Sequence, residues 1–252
     1  MILNRIVDFA KEKGKGLTLV NIIMGLEYVA VELSDGSLGC SYLFKEESGT
    51  CCKLDHGRMQ FEGIPVPELV TWALDERELI RSSVGIAVMN ALFKPESIKE
   101  KSDKDAVLEL PFKKTDLVGM VGYFKPMVKQ IVDKVKDLYI FERKPNQDNP
   151  SVFPDWSAYS ILPRCDIVII SGTTNINKTQ DVLVSCCTKA REIAIVGPST
   201  LMYPEFYKGS KVTLLAGAYA PPEKREDIYK VVTRGGGGFG LLEYLQKYSI
   251  RV

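Results

Sequence analysis

Histidine is almost missing from this sequence. Its 252 residues contain one, His56. That excludes, within a single chain, a His-rich zinc or iron site and any mechanism needing two imidazoles. A Ser-His-Asp triad would have to use His56. Spaced cysteine pairs are also absent. Of six cysteines, four stand in the adjacent pairs Cys51-Cys52 and Cys186-Cys187, with Cys40 and Cys165 single. No CxxC motif means neither a zinc ribbon nor a disulfide framework is indicated, and reduced thiols point to a cytoplasmic protein. No stretch approaches the roughly 18 apolar residues of a membrane span. The N-terminus lacks the apolar core and cleavage site of a secretory signal. Excess charge is missing too: 33 Lys+Arg stand against 32 Asp+Glu. Neither a nucleic-acid nor a membrane partner is therefore expected. What remains is an ordinary globular balance, 45% apolar and 26% charged, in a chain long enough for one large domain or two small ones.

The two halves follow different patterns. Ile2, Leu3, Ile6, Val7 and Phe9 fit one face of a short amphipathic helix. The segments TLVNII, LEYVAVEL and SLGCSYLF then read as strands. In the second, Val29, Val31 and Leu33 alternate with Ala30 and Glu32 as in a half-buried strand, and Asp35-Gly36 is a hairpin turn. After an irregular, turn-rich stretch, PELVTWALD reads as a helix with Pro67 near its start. A second helix runs from about Glu76 to Phe93 and stops before Pro95. Residues 94–114 are charged and proline-containing, the best boundary in the chain, with a short strand expected at Ala106–Leu110.

Beyond that boundary, strand and helix alternate. DLVGMVG, DLYIFE, CDIVIISG, EIAIVGPS and KVTLLAG read as strands. KPMVKQIVDKVK is a helix with Met127, Val128, Ile131, Val132 and Val135 inward, and another helix is expected from Lys178 to Ala190. Near-continuous apolar strands separated by helices signify a parallel sheet covered on both faces. The fold class is α/β, a small α+β domain over residues 1–100 and a Rossmann-like three-layer α/β domain over 101–252.

In open parallel sheets, ligands bind beyond the carboxyl ends of the strands. Those ends carry Gly119, Gly122 and Tyr123, then Glu142 and Arg143, then Ser171, Gly172, Thr173, Thr174 and Asn175 with Asn177 and Thr179 following. The next end carries Gly197, Pro198, Ser199 and Thr200, and the fifth Gly217. Gly119-x-x-Gly122 falls short of a dinucleotide fingerprint, and both glycines also suit close packing and a tight turn. Glu142 follows at the spacing where an acidic side chain accepts hydrogen bonds from ribose hydroxyls; capping a turn, or pairing with Arg143 or Lys144, is the alternative. Asn177 and Thr179 at a helix entrance suit an anion, or simply cap the helix. Gly235–Gly238 beside Arg234 reads as an anion nest or as a flexible loop. Cys51, Cys52, Asp55 and His56 crowd one irregular segment with thiol, carboxylate and imidazole donors, a candidate metal site whose spacing matches no structural-zinc pattern; a surface or packing role is the alternative. Trp156 follows Asp155 close to the strand-end residues.

Taken together, LEYVAVELSDGSLGCSYL, VGIAVMNAL, VGYF, FERKP, LPRCDIVIISGTTNINKT and GPST resemble, in order, the heavy-metal chelation family of prokaryotic proteins of unknown function. The resemblance spans almost the whole chain. It implies an N-terminal domain like the amino-terminal domain of enolase, a Rossmann-like C-terminal domain, and a site in the cleft between them. Mapped onto this chain, the cleft holds Gly122, Tyr123, Glu142, Ser171 to Thr174, Asn177, Thr179 and Gly197 to Thr200. One histidine and no spaced cysteine cluster make direct metal binding by side chains a poor match, whereas a small molecule that itself chelates metal needs fewer protein ligands. The leading expectation is a small anionic, nucleoside-like or metal-chelating ligand in the cleft, with a divalent transition metal or an S-adenosylmethionine-like nucleoside as cofactor. If chemistry occurs, Glu142, Asp155 or Asp55 transfers a proton and Tyr123 assists. The alternatives are an S-adenosylmethionine-type transferase or lyase and a metabolite-sensing or assembly protein without turnover. A homodimer is the default assembly.

Overall fold

The computed structural model describes residues 1–44, 60–97, 102, 106–143 and 149–252. Helix α1 (Ile2–Lys13) opens the chain and buries Leu3 together with Ile6, Val7 and Ala10, which lie three, four and seven residues on from Leu3 and so on one face. Strands β1 (Leu19–Met24), β2 (Tyr28–Leu33) and β3 (Leu38–Tyr42) form an antiparallel sheet in that order. The Asp35-Gly36 turn closes as expected: Gly36 takes φ 79°, and the Asp35 carboxylate accepts the Ser37 N–H at 3.0 Å. Helices α2 (Val66–Thr71) and α3 (Leu79–Leu92) cover one face of this sheet. Gly39 lets α3 come close, since a side chain there would strike the Ala87 carbonyl and the Ala91 nitrogen.

Strand β2 differs from the half-buried strand that its alternation suggests. Ala30 is as buried as Val29 and Val31. The cause lies far along the chain: α8 (Arg225–Thr233) and α9 (Gly238–Leu242) pack Ile228, Val232 and Leu241 against Tyr28, Ala30, Leu38 and Cys40. Glu32 on the same face receives hydrogen bonds from Tyr229 Oη at 2.9 Å and Arg225 at 3.1 Å. The C-terminal helices thus complete the N-terminal sheet.

The second sheet has seven strands in the order β10-β9-β8-β7-β4-β5-β6. These are β4 (Leu117–Val121), β5 (Asp137–Glu142), β6 (Val152–Pro154), β7 (Ile167–Ser171), β8 (Glu192–Val196), β9 (Leu214–Tyr219) and β10 (Gln246–Arg251). All pairs are parallel except β10 with β9. Helices α5 (Lys125–Ile131), α6 (Ala158–Ile161) and α7 (Gln180–Cys186) connect the strands. Renumbered from β4, this is the doubly wound order 3-2-1-4-5-6 with an antiparallel edge strand, so the chain reverses direction across the sheet between β4 and β7. The molecule is α/β, a small antiparallel sheet beside a larger, mostly parallel Rossmann-like one.

Several local expectations need correction. Ala106–Glu109 is a helical turn, α4, not a strand. Val132 is exposed, because α5 ends at Ile131 and a tighter turn over Val132–Lys134 rotates it outward. The helix expected from Lys178 to Ala190 shrinks to α7: Lys178 holds a left-handed backbone, φ 64°, that cannot begin an α-helix, and Cys187 ends it in a non-helical conformation. Helix α3 buries every residue from Ser82 to Leu92. It is the spine between the two sheets, with Tyr203 donating to the Met89 carbonyl at 2.6 Å and Asn90 donating to the Cys40 and Pro198 carbonyls at 3.0 Å each. An all-round apolar helix of this kind belongs in an interior.

Candidate functional site

A cleft of about 280 Å³ opens beyond the carboxyl ends of β4, β5 and β7, at the point where the strand order reverses. Gly122 leaves β4 with φ 95°, a conformation that a side chain resists, and a Cβ there would stand 3.1 Å from Ser171 Cβ. The turn aims the Tyr123 N–H at the Glu142 carboxylate, which accepts it. Glu142 ends β5 half-buried. Burial raises its carboxyl pKa; hydrogen bonds from the Tyr123 and Arg143 N–H groups and the Arg143 charge oppose the rise without cancelling it. The Arg143 guanidinium turns toward Asp155. Its Nε donates to Asp155 Oδ2 at 3.3 Å, and its guanidinium lies 5.5 Å from the Phe44 ring centroid. Trp156 and Tyr159 stand at the rim, 68% and 48% exposed. A carboxylate, an ion pair and open aromatic faces therefore share one wall.

The opposite wall is the β7 end. Ser171 and Thr173 hydroxyls bond each other at 2.8 Å, while the Thr174 hydroxyl turns inward to the Ser171 carbonyl at 2.6 Å. Asn177 Oδ1 accepts from both the N–H (3.3 Å) and the hydroxyl (2.7 Å) of Thr179. Asn177 thus caps the turn leading into α7, and both residues also line the cleft.

The cleft brings together Gly122, Glu142, Asp155, Ser171, Thr173, Thr174, Asn177 and Thr179. Tyr123 stands at its edge, 40% exposed, joined to it through its N–H. Other strand-end residues lie elsewhere. Gly119 sits inside β4, where a Cβ would come within 2.6 Å of Leu162 and 3.2 Å of Cys165 Sγ; it serves strand-to-turn packing. Gly172 is buried against Thr200 N. Gly197, φ 108°, and Pro198 turn the chain into the seam between the sheets. Ser199 is buried there, accepting from Tyr42 N at 2.8 Å and Ser41 Oγ at 3.3 Å, and Thr200 is buried beside it. Ser199 stitches the halves together, and Thr200 packs against Gly172, so neither forms a cleft floor.

The glycine run is no anion nest. Gly237 lies against the Glu27 carboxylate, 2.7 Å from where its Cβ would be, so an acidic group already sits there. Cys51, Cys52, Asp55 and His56 lie outside the described residues. Among the described residues, no three His, Cys, Asp or Glu side chains stand close enough to hold a metal ion. Cys40 and Cys187, with thiols pushed up to about 12 by burial, and Cys165, pushed up to about 11, behave as small core residues. Phe44 and Tyr159 were missed by sequence reasoning. Tyr159 carried a weak signal, three residues after Trp156 and so on the same side of a helical turn. No helix among the described residues is long and apolar enough to cross a membrane.

Two family models, each described as "Putative heavy-metal chelation", match residues 7–93 and 105–251. The chain belongs to this heavy-metal chelation family. Its relatives include an uncharacterized protein of Methanocaldococcus jannaschii, 30% identical over 224 residues, 85% of this chain and 83% of that one. A solved Pyrococcus horikoshii protein with unknown function is 28% identical, with TM-score 0.84 and full coverage of both chains. A solved Desulfitobacterium hafniense protein, also with unknown function, shares the fold at TM-score 0.78 and 18% identity, covering all of this chain and 97% of its own. The family's description points to a ligand- or metal-related role in general terms. The described side chains do not fit a resident metal ion, since they offer no three-donor set.

Proposed function

We propose that the cleft between β4, β5 and β7 binds a small organic ligand bearing hydroxyl groups, and that a metal, where one takes part, arrives chelated by that ligand. The observation carrying this reading is the half-buried Glu142 carboxylate, anchored at Tyr123 N and facing the Ser171–Thr173 hydroxyl pair across the switch point. The half-buried Glu142 carboxylate can take hydroxyl donors, and the rim rings of Trp156 and Tyr159 offer flat apolar contact. Asn177 and Thr179 orient further polar groups. If the ligand is also transformed, Glu142 has the raised pKa suited to proton exchange, Asp155 lies beside it, and Tyr123 stands at the edge.

A second reading is favoured by the strand order. An acidic residue ending the second strand of a doubly wound sheet is where ribose hydroxyls are held, so the ligand is an adenosine-containing cofactor such as S-adenosylmethionine serving a transferase or lyase. Calorimetric titration separates the readings. S-Adenosylmethionine and adenosine should bind the wild-type protein and lose affinity in Glu142→Gln if the second holds. Free nickel, zinc, cobalt or iron binding that disappears in a His56→Ala or Cys52→Ala variant would overturn both in favour of a protein-held metal.

A further inference from the structure

Lys178 is the one non-glycine residue with positive φ among the described residues. A Cβ makes this left-handed conformation unfavourable, so something must hold it. Its two neighbours, Asn177 and Thr179, line the cleft and are bonded to each other through Asn177 Oδ1. The left-handed residue between them sends its own side chain the other way, through the seam toward the spine helix α3. There Lys178 Nζ donates to Ser82 Oγ and, at 2.6 Å, to the Ile176 carbonyl. Ser82 is fully buried, and its hydroxyl is also bonded to the Ile176 carbonyl at 2.9 Å. One amine, one hydroxyl and one carbonyl thus form a knot joining α3 to the loop after β7.

We propose that Lys178 is a positioning residue: its tether to Ser82 on α3 holds the 177–179 turn in the left-handed form that presents Asn177 and Thr179 to the cleft. The importance of that turn rests on the cleft being a ligand site; the tether itself is measurable without ligand, so the two ideas fail separately. Glycine would adopt the same backbone without strain. A lysine there supplies an anchor that glycine lacks.

The tether carries a pH signature. Burial lowers the Lys178 amine to about 8, with the Asp75 and Glu76 carboxylates ahead of α3 opposing the fall. Asp75 is itself 3.5 Å from Arg81 on α3; Asp181 on α7 and the Met1 amino terminus share the small pocket beside Lys178. In the folded protein the ammonium form prevails below about pH 8 and the neutral amine above it. Because burial penalises the ammonium form in the closed turn, while a solvated amine keeps its proton to higher pH, the tethered form gains as pH rises through that value.

Hydrogen exchange over residues 177–183, corrected for the intrinsic pH dependence, tests this in the full chain. The Thr179 N–H bonds the Thr174 carbonyl at 3.0 Å and so reports on the turn. In wild type, its protection should rise about fivefold as pH rises through the amine's titration. Lys178→Arg, which stays charged, should remove that step, and Lys178→Gly should lower protection at every pH while β7 remains protected. Unchanged protection in Lys178→Gly, or a step that persists in Lys178→Arg, overturns the proposal. Should Lys178→Gly not fold, the wild-type and Lys178→Arg profiles decide alone, and a flat wild-type profile overturns it.

Discussion

The two ends of the large sheet are built on opposite electrostatic principles. At the amino ends of the parallel strands, acids are matched to bases. Asp116, ahead of β4, takes two hydrogen bonds from Arg191, at 3.0 and 2.6 Å, and one from Lys113 N at 2.7 Å. Asp166, ahead of β7, accepts from Leu117 N at 2.9 Å and pairs with Lys189 at 3.0 Å. Glu192, opening β8, pairs with Arg251 at 2.7 Å. These contacts outweigh burial at Asp116, and at Asp166 they are the leading influence, holding both carboxyls below their usual range. At the carboxyl ends, Glu142 is raised by burial and aromatic rings are left open to solvent. One end pairs its acids with bases; the other keeps a carboxylate whose pKa burial raises, in a cleft, the pattern on which the proposed binding site rests.

Arg191→Ala should have the largest effect. It leaves Asp116, whose side chain is 4% exposed, without its bidentate partner. Because Arg191 is itself partly exposed, the loss should fall below that of a fully buried pair, about 2 kcal/mol, or roughly 4–8 °C in Tm. Ligand affinity at the far end should not move. Thermal melting checks this, and an unchanged Tm would break the contrast between the ends. Gly122→Ala should come next, costing about 1–2 kcal/mol for a side chain in a left-handed backbone and disturbing the approach to Ser171. Calorimetric binding would register that change together with the melt.

Glu142→Gln should act in the opposite sense. A carboxyl raised in the folded state contributes stability only while protonated, and that contribution is lost as pH rises through its folded pKa. At neutral pH the amide removes a buried charge yet still accepts the Tyr123 N–H, so Tm should rise by roughly 1–2 °C while ligand affinity falls. The same gain should vanish at acid pH. Asp116 and Asp166 show the reverse sign: their contribution is present at neutral pH and disappears as pH falls through their lowered values. The smallest stability effect belongs to Trp156→Ala, expected within about 0.5 kcal/mol of wild type because the ring is mostly exposed. Its ligand affinity should nevertheless fall about tenfold.

The contrast between the ends was only half legible in the sequence. The apolar runs of β4, β5, β7 and β8 announce themselves, and a strand end is then a matter of counting, which is how Glu142, Ser171 and Thr173 came together. Ser199 and Thr200 show where counting stops: small hydroxyl residues serve a buried seam as readily as a cleft, and only the approach of Tyr42 and Gly172 distinguishes the two. Strand β10 carries few apolar residues, and α8 has a short apolar signal, Ile228 and Val232 four apart. Covering β2 from residue 225 onward is a long-range packing event that no local period encodes. The left-handed Lys178 is likewise held in part by a distant helix, through Ser82, which no local pattern announces.

As proposed, the carboxyl-end cleft is a small-molecule site centred on Glu142. The most direct test is mass-spectrometric and elemental analysis of what gently purified protein retains, with wild type, Glu142→Gln and Arg191→Ala processed side by side. A small organic molecule, with any metal in proportion to it, should accompany wild type and Arg191→Ala and be depleted from Glu142→Gln. Metal retained without an organic partner, or a molecule retained equally by Glu142→Gln, would contradict the claim.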